Sequence, residues 1–108
     1  MAVSLEEFKR IELRIGKIVE VVPIKESEKL YKMTVDFGDE KRVAVAGLRK
    51  YYEIKDLEGR KFLFITNLEH KKIMGIESEC MILAAEDKEG NLSLLVPDRE
   101  IAEGSRIR

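Results

Sequence analysis

The residue types best suited to holding a ligand are concentrated in one segment, residues 67–81. Two adjacent lysines, Lys71 and Lys72, carry positive charge, and Asn67 and Ser78 add neutral side chains that can donate hydrogen bonds. Lysine and small polar side chains hold phosphate groups, whereas exposed base edges are recognised by hydrogen bonds. The segment therefore predicts contact with the backbone and bases of a nucleic acid, and the alternative interpretation is an ordinary connecting loop.

Residues suited to catalysis are scarce. His70 lies among charged residues, and Cys80 lies in an apolar strand pattern, where cysteine usually behaves as a small buried hydrophobe. A Cys/His zinc site needs about four ligands and a catalytic histidine needs an orienting partner, but the chain has one His and one Cys. No nucleotide-binding, metalloprotease or hydrolase motif occurs in the sequence. We therefore expect a protein that is not an enzyme and that needs no metal and no cofactor.

Further basic side chains extend the candidate binding surface. Residues 41–75 carry nine basic and four acidic side chains, a charge of +5, in a chain whose net charge is −1. This distribution favours one basic face for a polyanion on an otherwise acidic body, although charge blocks of this kind also arise by chance. Arg49 and Lys50 are the next candidates for phosphate contact, followed by Arg14 and Lys17 on the first predicted strand.

Period-two alternation of apolar residues predicts at least five short strands. The first covers residues 13–21 with a bend or bulge at Gly16, and the second and third form a hairpin. The fourth, residues 60–66, has apolar side chains on both faces, so both faces must be covered by the chain or by a second protomer. A last hairpin joins residues 79–85 to residues 92–96.

Two short helices accompany these strands. A capping box at Ser4 and Glu7 predicts a helix near residues 5–10, and helical spacing of apolar residues predicts a second short helix or a helical turn at about 48–54. Five strands with a helix between the third and fourth are typical of the OB-fold, a partly open five-stranded barrel. We therefore predict an all-β OB-fold in a single domain, residues 1–108, with an SH3-like barrel or a small sandwich as the alternative.

The composition is that of an ordinary globular chain, with 44% apolar residues. No apolar run approaches the roughly 20 residues that span a bilayer. Glu6 and Glu7 stand where a signal peptide would have basic and then apolar residues, so we expect a cytoplasmic protein without a membrane partner. The absence of Gln and the presence of only two Asn among many charges is typical of proteins from thermophiles.

Strings of residues along nearly the whole chain, from Phe8 to Ile107, follow a known pattern. They are Glu12-Leu13-Arg14-Ile15-Gly16-Lys17-Ile18, Glu28-Lys29-Leu30-Tyr31, Val45-Ala46-Gly47-Leu48, Asn67-Leu68, Gly75-Ile76-Glu77-Ser78 and Met81-Ile82-Leu83-Ala84-Ala85. Together they resemble the tRNA-binding domain family. This family includes the appended C-terminal domain of methionyl-tRNA synthetases and free-standing dimeric tRNA-binding proteins, and the chain resembles the free-standing form called the methionyl-tRNA synthetase beta subunit.

The resemblance implies an OB-fold homodimer that binds tRNA by its structure, has no catalysis of its own and serves the catalytic chain of a methionyl-tRNA synthetase in trans. An export-related chaperone in the same family gives the alternative, a peptide-binding protein. Two residues of the central segment depart from the family pattern: Glu69 stands where the family has lysine, and Cys80 where it has glycine. An acid at position 69 is expected to weaken contact with phosphate groups.

Overall fold

The computed structural model describes residues 1–108, and its regular structure is almost entirely β. The one α-helix, α1, covers Leu5–Phe8, and a single 3₁₀ helix covers Ile54–Asp56. None of the helices has the length and apolar character needed to cross a membrane. The strands in chain order are β1 Leu13–Pro23, β2 Tyr31–Asp36, β3 Lys41–Ala46, β4 Lys61–Ile65, β5 Lys71–Ile73, β6 Ile76–Ser78, β7 Met81–Ile82, β8 Ala84–Glu86 and β9 Leu92–Leu94.

Five of these strands form one antiparallel sheet in the order β3-β2-β1-β4-β7. The two edge strands of this sheet, β3 and β7, are joined through the residue Glu79, which lies just before β7. Glu79 N–H donates to Val43 O at 2.8 Å, and Val43 N–H donates to Glu79 Oε1 at 2.9 Å. Pairing the edges in this way leaves few backbone groups unpaired. The nearly closed five-stranded barrel confirms the OB-fold prediction.

The barrel interior is filled by large apolar side chains. Tyr31, Met33, Val35 and Phe37 are all buried, as the alternation along β2 predicts. The rings of Phe37 and Phe64 meet edge to face with centroids 5.5 Å apart. Residues from all five strands and from the segments that flank them complete this core, among them Ile18, Val21, Ala44, Leu48, Leu57, Phe62, Phe64, Ile82 and Leu94.

The irregularity in β1 lies further along the strand than the sequence predicts. The pairing register with β2 shifts between Ile18 and Glu20, so the bulge is at Val19 and not at Gly16. One extra residue reverses the alternation, which is why Ile18 and Val21 are buried while Val19 is exposed. The prediction of a bend or bulge at Gly16 is therefore wrong. The bulge at Val19 interrupts the period-two alternation of buried and exposed side chains along β1.

Gly16 serves a different purpose, the close approach of β1 to the core. A Cβ atom at this position would lie 2.5 Å from Val35 Cγ1, 2.7 Å from the Phe37 ring and 2.9 Å from the Phe64 ring. These distances are shorter than any carbon–carbon contact that a packed interior accepts. Glycine is needed at position 16 because the aromatic pair occupies the space of a side chain.

The two predicted helices are present in shorter form. Ser4 caps α1, since Glu7 N–H donates to Ser4 Oγ and Ser4 N–H donates to Glu7 Oε1, each at 3.0 Å. Between β3 and β4 the chain makes a helical turn, in which Tyr51 N–H and Tyr52 N–H both donate to Leu48 O at 2.9 Å, and then the 3₁₀ helix Ile54–Asp56, so helical structure begins within the predicted 48–54 and extends two residues beyond it. Tyr52 is fixed by packing and by hydrogen bonds at both its carbonyl and its hydroxyl group.

The last part of the chain covers the outer face of β1 and β4. The predicted strand over 79–85 is divided at Leu83, whose N–H donates to Leu63 O, and β8 then pairs with β9. Further on, Gly104 N–H donates to Ile15 O at 2.7 Å and Ile15 N–H donates to Ser105 O at 2.9 Å. Leu63 of β4 lines a cavity with Leu95, Val96 and Ile101, so the second apolar face of β4 is covered in part by the chain's own C-terminal segment.

Candidate nucleic-acid interface

The central segment that the sequence marks as a binding loop is a β-hairpin. Strands β5 and β6 pair antiparallel, with Lys71 opposite Ser78 and Ile73 opposite Ile76. The two-residue turn between them is Met74-Gly75, and both residues have positive φ, 52° and 79°. Two residues with positive φ make the turn that best matches the twist of a hairpin. The glycine preceded and followed by short alternating segments is the sequence signal that could have identified this hairpin.

A hydrogen bond that the Ser78 hydroxyl accepts fastens the hairpin to β3. Val45 N–H donates to Ser78 Oγ at 3.0 Å, and the same hydroxyl donates to Cys80 O at 3.3 Å. Since Ser78 is bonded to Val45 and Glu79 to Val43, β6 runs antiparallel to β3. The turn of the hairpin is consequently directed toward the end of β3, where Arg49 and Lys50 follow in the chain. The Ser78 hydroxyl therefore positions the hairpin, and it is used within the chain both as a hydrogen-bond acceptor and as a hydrogen-bond donor.

Asn67 connects the end of β4 to the N-terminal segment. Its Oδ1 accepts a hydrogen bond from Glu12 N–H at 2.8 Å, and its Nδ2 donates to Arg10 O at 2.6 Å. Both ends of the amide are thus occupied by backbone groups more than fifty residues away in the sequence. The side chain holds the residues after α1 against the base of the hairpin.

Two of the candidate arginines have their guanidinium groups occupied within the chain. Arg14 donates to Phe37 O at 3.2 Å, to Gly104 O at 3.3 Å and to the carboxylate of Asp39 at 3.0 Å, and its side chain is only 12% exposed. A hydrogen bond from Arg14 is the largest cause of a lowered pKa at Asp39. Arg49 donates to Ile24 O at 3.3 Å and to the Ser27 carbonyl. Both guanidinium groups join distant loops of the barrel.

The candidate lysines are arranged in two separate places. Lys71 and Lys72 on β5, and Lys50 in the turn after β3, are exposed and make no hydrogen bond or ion pair within the chain. Lys17 lies at the opposite end of β4, where it lines a cavity of 520 Å³ with Arg60 and with four further charged residues, Lys61, Arg99, Glu100 and Glu103. The structure therefore groups the hairpin lysines and separates Lys17 from them.

Arg42 is a positioning residue that the sequence analysis did not single out. It donates to Thr66 O and, at 3.4 Å, to Glu79 O, so it joins β3 to both ends of the segment that carries the hairpin. Glu40 accepts two hydrogen bonds from the same guanidinium group, at 2.8 and 3.0 Å, and these raise the pKa of Arg42. Thr66 and Glu79 are 24 and 37 residues away from Arg42 in the sequence, so local residue spacing gives no signal of these two contacts.

His70, Glu77 and Glu79 are the only group of side chains whose geometry suits a metal ion. Their ligand atoms lie within 4.8 Å of one another, and His70 Nδ1 is 3.3 Å from Glu77 Oε2. His70 and Glu77 are exposed, and one oxygen of Glu79 is already bonded to Val43 N–H. A surface contact between imidazole and carboxylate together with a backbone hydrogen bond accounts for this arrangement.

Cys80 lies beneath the hairpin and lines a cavity of 270 Å³ between β3, β5, β6 and β7. The side chain is 6% exposed, and burial raises the pKa of its thiol to about 12. A thiol with such a pKa is protonated near neutral pH, which removes the thiolate that a nucleophile requires.

Comparison with known proteins places these features among tRNA-binding domains. The sequence model of the family described as "Putative tRNA binding domain" matches residues 13–106. The chain is 48% identical over 106 residues to the methionine–tRNA ligase of Methanocaldococcus jannaschii and 50% identical over 106 residues to that of Pyrococcus furiosus. Each alignment covers 98% of this chain but only 16% and 14% of those ligases, so the chain spans about a seventh of the length of these relatives.

Solved structures agree with the sequence comparison. A MetRS-related protein from Pyrococcus horikoshii superposes with a TM-score of 0.95 at 34% identity, covering 100% of this chain and 99% of the other. The chaperone CsaA from Bacillus anthracis superposes with a TM-score of 0.91 at 26% identity, covering 100% of both chains. The chain therefore shares its fold over its full length with a protein related to a methionyl-tRNA synthetase and with a chaperone.

Proposed function

This chain belongs to the tRNA-binding domain family, and we propose that it acts in the cytoplasm as a single-domain homodimer that binds tRNA and assists a methionyl-tRNA synthetase in trans. The observation that carries the proposal is the β5–β6 hairpin. It presents the side chains of Lys71 and Lys72 without partners, while hydrogen bonds that Ser78 and Glu79 accept from β3 and that Arg42 donates hold it against the barrel. A braced element loses little conformational freedom when it binds.

The hairpin lysines neutralise phosphate groups in this proposal, and Lys50 extends the same surface beyond the end of β3. Arg14, Arg49, Asn67 and Ser78 act indirectly, because their polar groups hold the loops and the hairpin in place. A rigid arrangement of positive charges selects RNA by the spacing of its phosphates, which favours a folded tRNA over a flexible single strand. Aminoacylation remains with the synthetase, whose reaction the domain assists by holding tRNA.

The homodimer is supported by unpartnered apolar residues at the N-terminus. Leu5 and Ile11 are exposed, and together with Phe8 and Ile107 they line a cavity of 440 Å³ beside the C-terminal residues. Exposed apolar groups that lie side by side are typical of an interface between protein chains. A second protomer that covers these residues would also place two hairpins on one particle.

A peptide-binding chaperone is the second candidate function. The likeness to the chaperone CsaA over the full length of both chains favours it, as does the apolar lining of the cavity beneath the hairpin. The two functions depend on different forces. Binding of tRNA releases counterions and weakens steeply with salt, whereas burial of apolar peptide groups does not.

The experiment is a pair of filter-binding titrations of the protein, one with total tRNA and one with a labelled unfolded peptide, at a low and a near-physiological salt concentration. We expect saturable tRNA binding that weakens at least tenfold with salt, and no comparable peptide binding. Unfolded single-stranded RNA serves as the competitor that tests selectivity for folded tRNA. Peptide binding that is insensitive to salt, together with absent tRNA binding, would establish the chaperone function instead.

A further inference from the structure

The cavity beneath the hairpin is lined mainly by apolar side chains and by two side chains of opposite charge, Glu69 and Lys71. Its volume of 270 Å³ corresponds to about nine water molecules of liquid, enough for a single purine base. Leu68 and Met81 at its mouth are both nearly half exposed, so the cavity opens to the surface. The lining residues are Val45, Leu68, Glu69, Lys71, Ile73, Ser78, Cys80 and Met81.

Only two of the polar side chains in this lining are free to contact a ligand. The Ser78 hydroxyl is occupied by Val45 N–H and Cys80 O, and the Cys80 thiol is buried. Glu69 and Lys71 are exposed and make neither a hydrogen bond nor an ion pair within the chain. The cavity thus offers two carboxylate oxygens as acceptors and one ammonium group as a donor, next to apolar side chains.

We infer that this cavity binds an unstacked guanine base of the RNA, an inference that rests on the proposed tRNA-binding function. The Watson–Crick edge of guanine presents two adjacent N–H donors, at N1 and N2, beside an acceptor at O6. The carboxylate of Glu69 accepts from both donors, and the ammonium group of Lys71 donates to O6. The faces of the base pack against Leu68 and Met81, and the sulfur of Met81 is well suited to an aromatic ring.

The other bases match these two groups less well. Adenine and cytosine have one amino group on the Watson–Crick edge, and uracil has a single N–H, so each of them donates to only one oxygen of Glu69. The second oxygen would then lose its water without gaining a hydrogen bond, which disfavours binding. An apolar peptide side chain would leave both Glu69 and Lys71 unpaired.

This assignment gives Glu69 a role in base recognition, which the sequence alone does not indicate. Next to two lysines, an acid at position 69 is expected only to repel phosphate groups. In the structure its side chain lines the cavity with Val45 and Ile73, where a nucleobase and not a phosphate would lie. Lys72, which does not line the cavity, stays available for the RNA backbone.

The test measures the binding of five fluorescent pentanucleotides by anisotropy. They are UUGUU, UUAUU, UUCUU, UUUUU and UUIUU, in which inosine lacks the N2 amino group of guanine. We expect UUGUU to bind about five- to twentyfold more tightly than UUUUU, with UUIUU between them. Glu69→Gln should reduce the guanine preference to less than about twofold, because the amide keeps only one acceptor oxygen.

Glu77→Gln is the matched control. It removes one negative charge, as Glu69→Gln does, but from an exposed residue of β6 that does not line the cavity, so the guanine preference should persist. Equal binding of all five pentanucleotides, or an equal loss of preference in both variants, overturns the inference. The inference is also overturned if UUGUU changes NMR chemical shifts only at residues other than Leu68, Lys71 and Ile73. Displacement of UUGUU from these three residues by an apolar peptide would overturn it as well.

The same protein preparations are titrated with total tRNA. Salt-dependent tRNA binding without any guanine preference overturns the cavity assignment and leaves the proposed function standing. Absence of tRNA binding overturns both, because the guanine assignment depends on RNA as the partner. Wild-type preference together with its loss in Glu69→Gln supports the assignment.

Discussion

Lys71 and Lys72 are the side chains on which phosphate binding by the hairpin depends. Replacing both with alanine removes two unpartnered positive charges, so we expect weaker tRNA binding. The slope of log affinity against log salt should flatten by about one unit for each lost phosphate contact. The free energy of unfolding should change by less than about 0.5 kcal/mol, because no packed or hydrogen-bonded group is lost. Filter binding at several salt concentrations and thermal melting measure the two effects.

The control for this variant is Lys55→Ala with Lys88→Ala, which removes the same charge from exposed positions outside the hairpin. An equal loss of affinity and slope in the control would mean that net charge, and not the hairpin surface, determines binding. The surface ion pair of Lys55 with Glu53, at 3.3 Å, contributes little because both side chains are well solvated.

Arg14 provides the opposite case, a charged residue that acts on stability. Arg14→Ala leaves the carbonyl groups of Phe37 and Gly104 without their donor, and we expect a loss of about 2 to 3 kcal/mol of unfolding free energy. Arg14→Lys keeps the charge but not the planar group that reaches several acceptors, so it should recover less than half of that loss. Urea unfolding measures both variants. A destabilisation below about 0.5 kcal/mol would contradict the bracing role.

The same contact has a pH dependence whose sign follows from Asp39. Its pKa is lowered from 3.8, chiefly by the hydrogen bond from Arg14. Stabilisation from the ionised carboxylate is complete above the unfolded-state pKa and is lost as pH falls through the lower folded-state pKa. The difference in stability between wild type and Arg14→Ala should therefore narrow from about pH 5 to about pH 2. Urea midpoints at several pH values test it, and a constant difference would contradict it.

At the scale of the elements, β1 depends on the absence of a side chain at Gly16. Gly16→Ala places a methyl group less than 3.0 Å from Val35, Phe37 and Phe64, and we expect a loss of about 3 kcal/mol or more of unfolding free energy. Gly47→Ala is the matched control, because the nearest atom to its added Cβ is Lys29 O at 3.9 Å. Its stability should stay within about 1 kcal/mol of wild type. Thermal unfolding compares the two, and similar losses would show that the close packing around β1 is not responsible.

The hairpin turn carries backbone strain at Met74, the only non-glycine residue with positive φ. Met74→Asn should stabilise the protein by about 0.5 to 1 kcal/mol, since asparagine adopts this conformation more readily and the methionine side chain is half exposed. Hydrogen exchange of the amides in β5 and β6 should slow in the variant. Unchanged exchange and unchanged stability would show that the methionine is not strained there.

At the scale of the whole molecule, the proposed dimer depends on the apolar residues of the N-terminal segment. Leu5→Glu with Ile11→Glu puts two charges among Phe8 and Ile107 and should convert a dimer into a monomer at micromolar concentration. Val22→Glu, at a similarly exposed apolar residue of β1, is the control and should remain dimeric. Sedimentation equilibrium measures the mass of each. A wild-type protein that sediments as a monomer would overturn the dimer.

The sequence by itself determined those features that depend on neighbouring residues. Alternation placed Tyr31, Met33, Val35 and Phe37 in the core, because successive side chains of a strand point to opposite faces. The Ser4–Glu7 capping box placed α1, because both partners lie within one helical turn. The five-stranded barrel followed from the alternation taken along the whole chain, and the tRNA-binding family followed from the resemblance of its motif strings to a known family.

The tertiary structure decided what each polar side chain is free to do. Four side chains have the residue types that commonly contact RNA, namely Asn67, Ser78, Arg14 and Arg49. Each of them instead forms a hydrogen bond with a backbone group more than twenty residues away in the sequence. The position of the bulge at Val19 likewise depends on the pairing of β1 with β2, and the cavity that holds Glu69 forms only when the hairpin meets β3 and β7. Such contacts join residues distant in the sequence, so local spacing carries no signal of them, and folding alone determines which charges remain for the ligand.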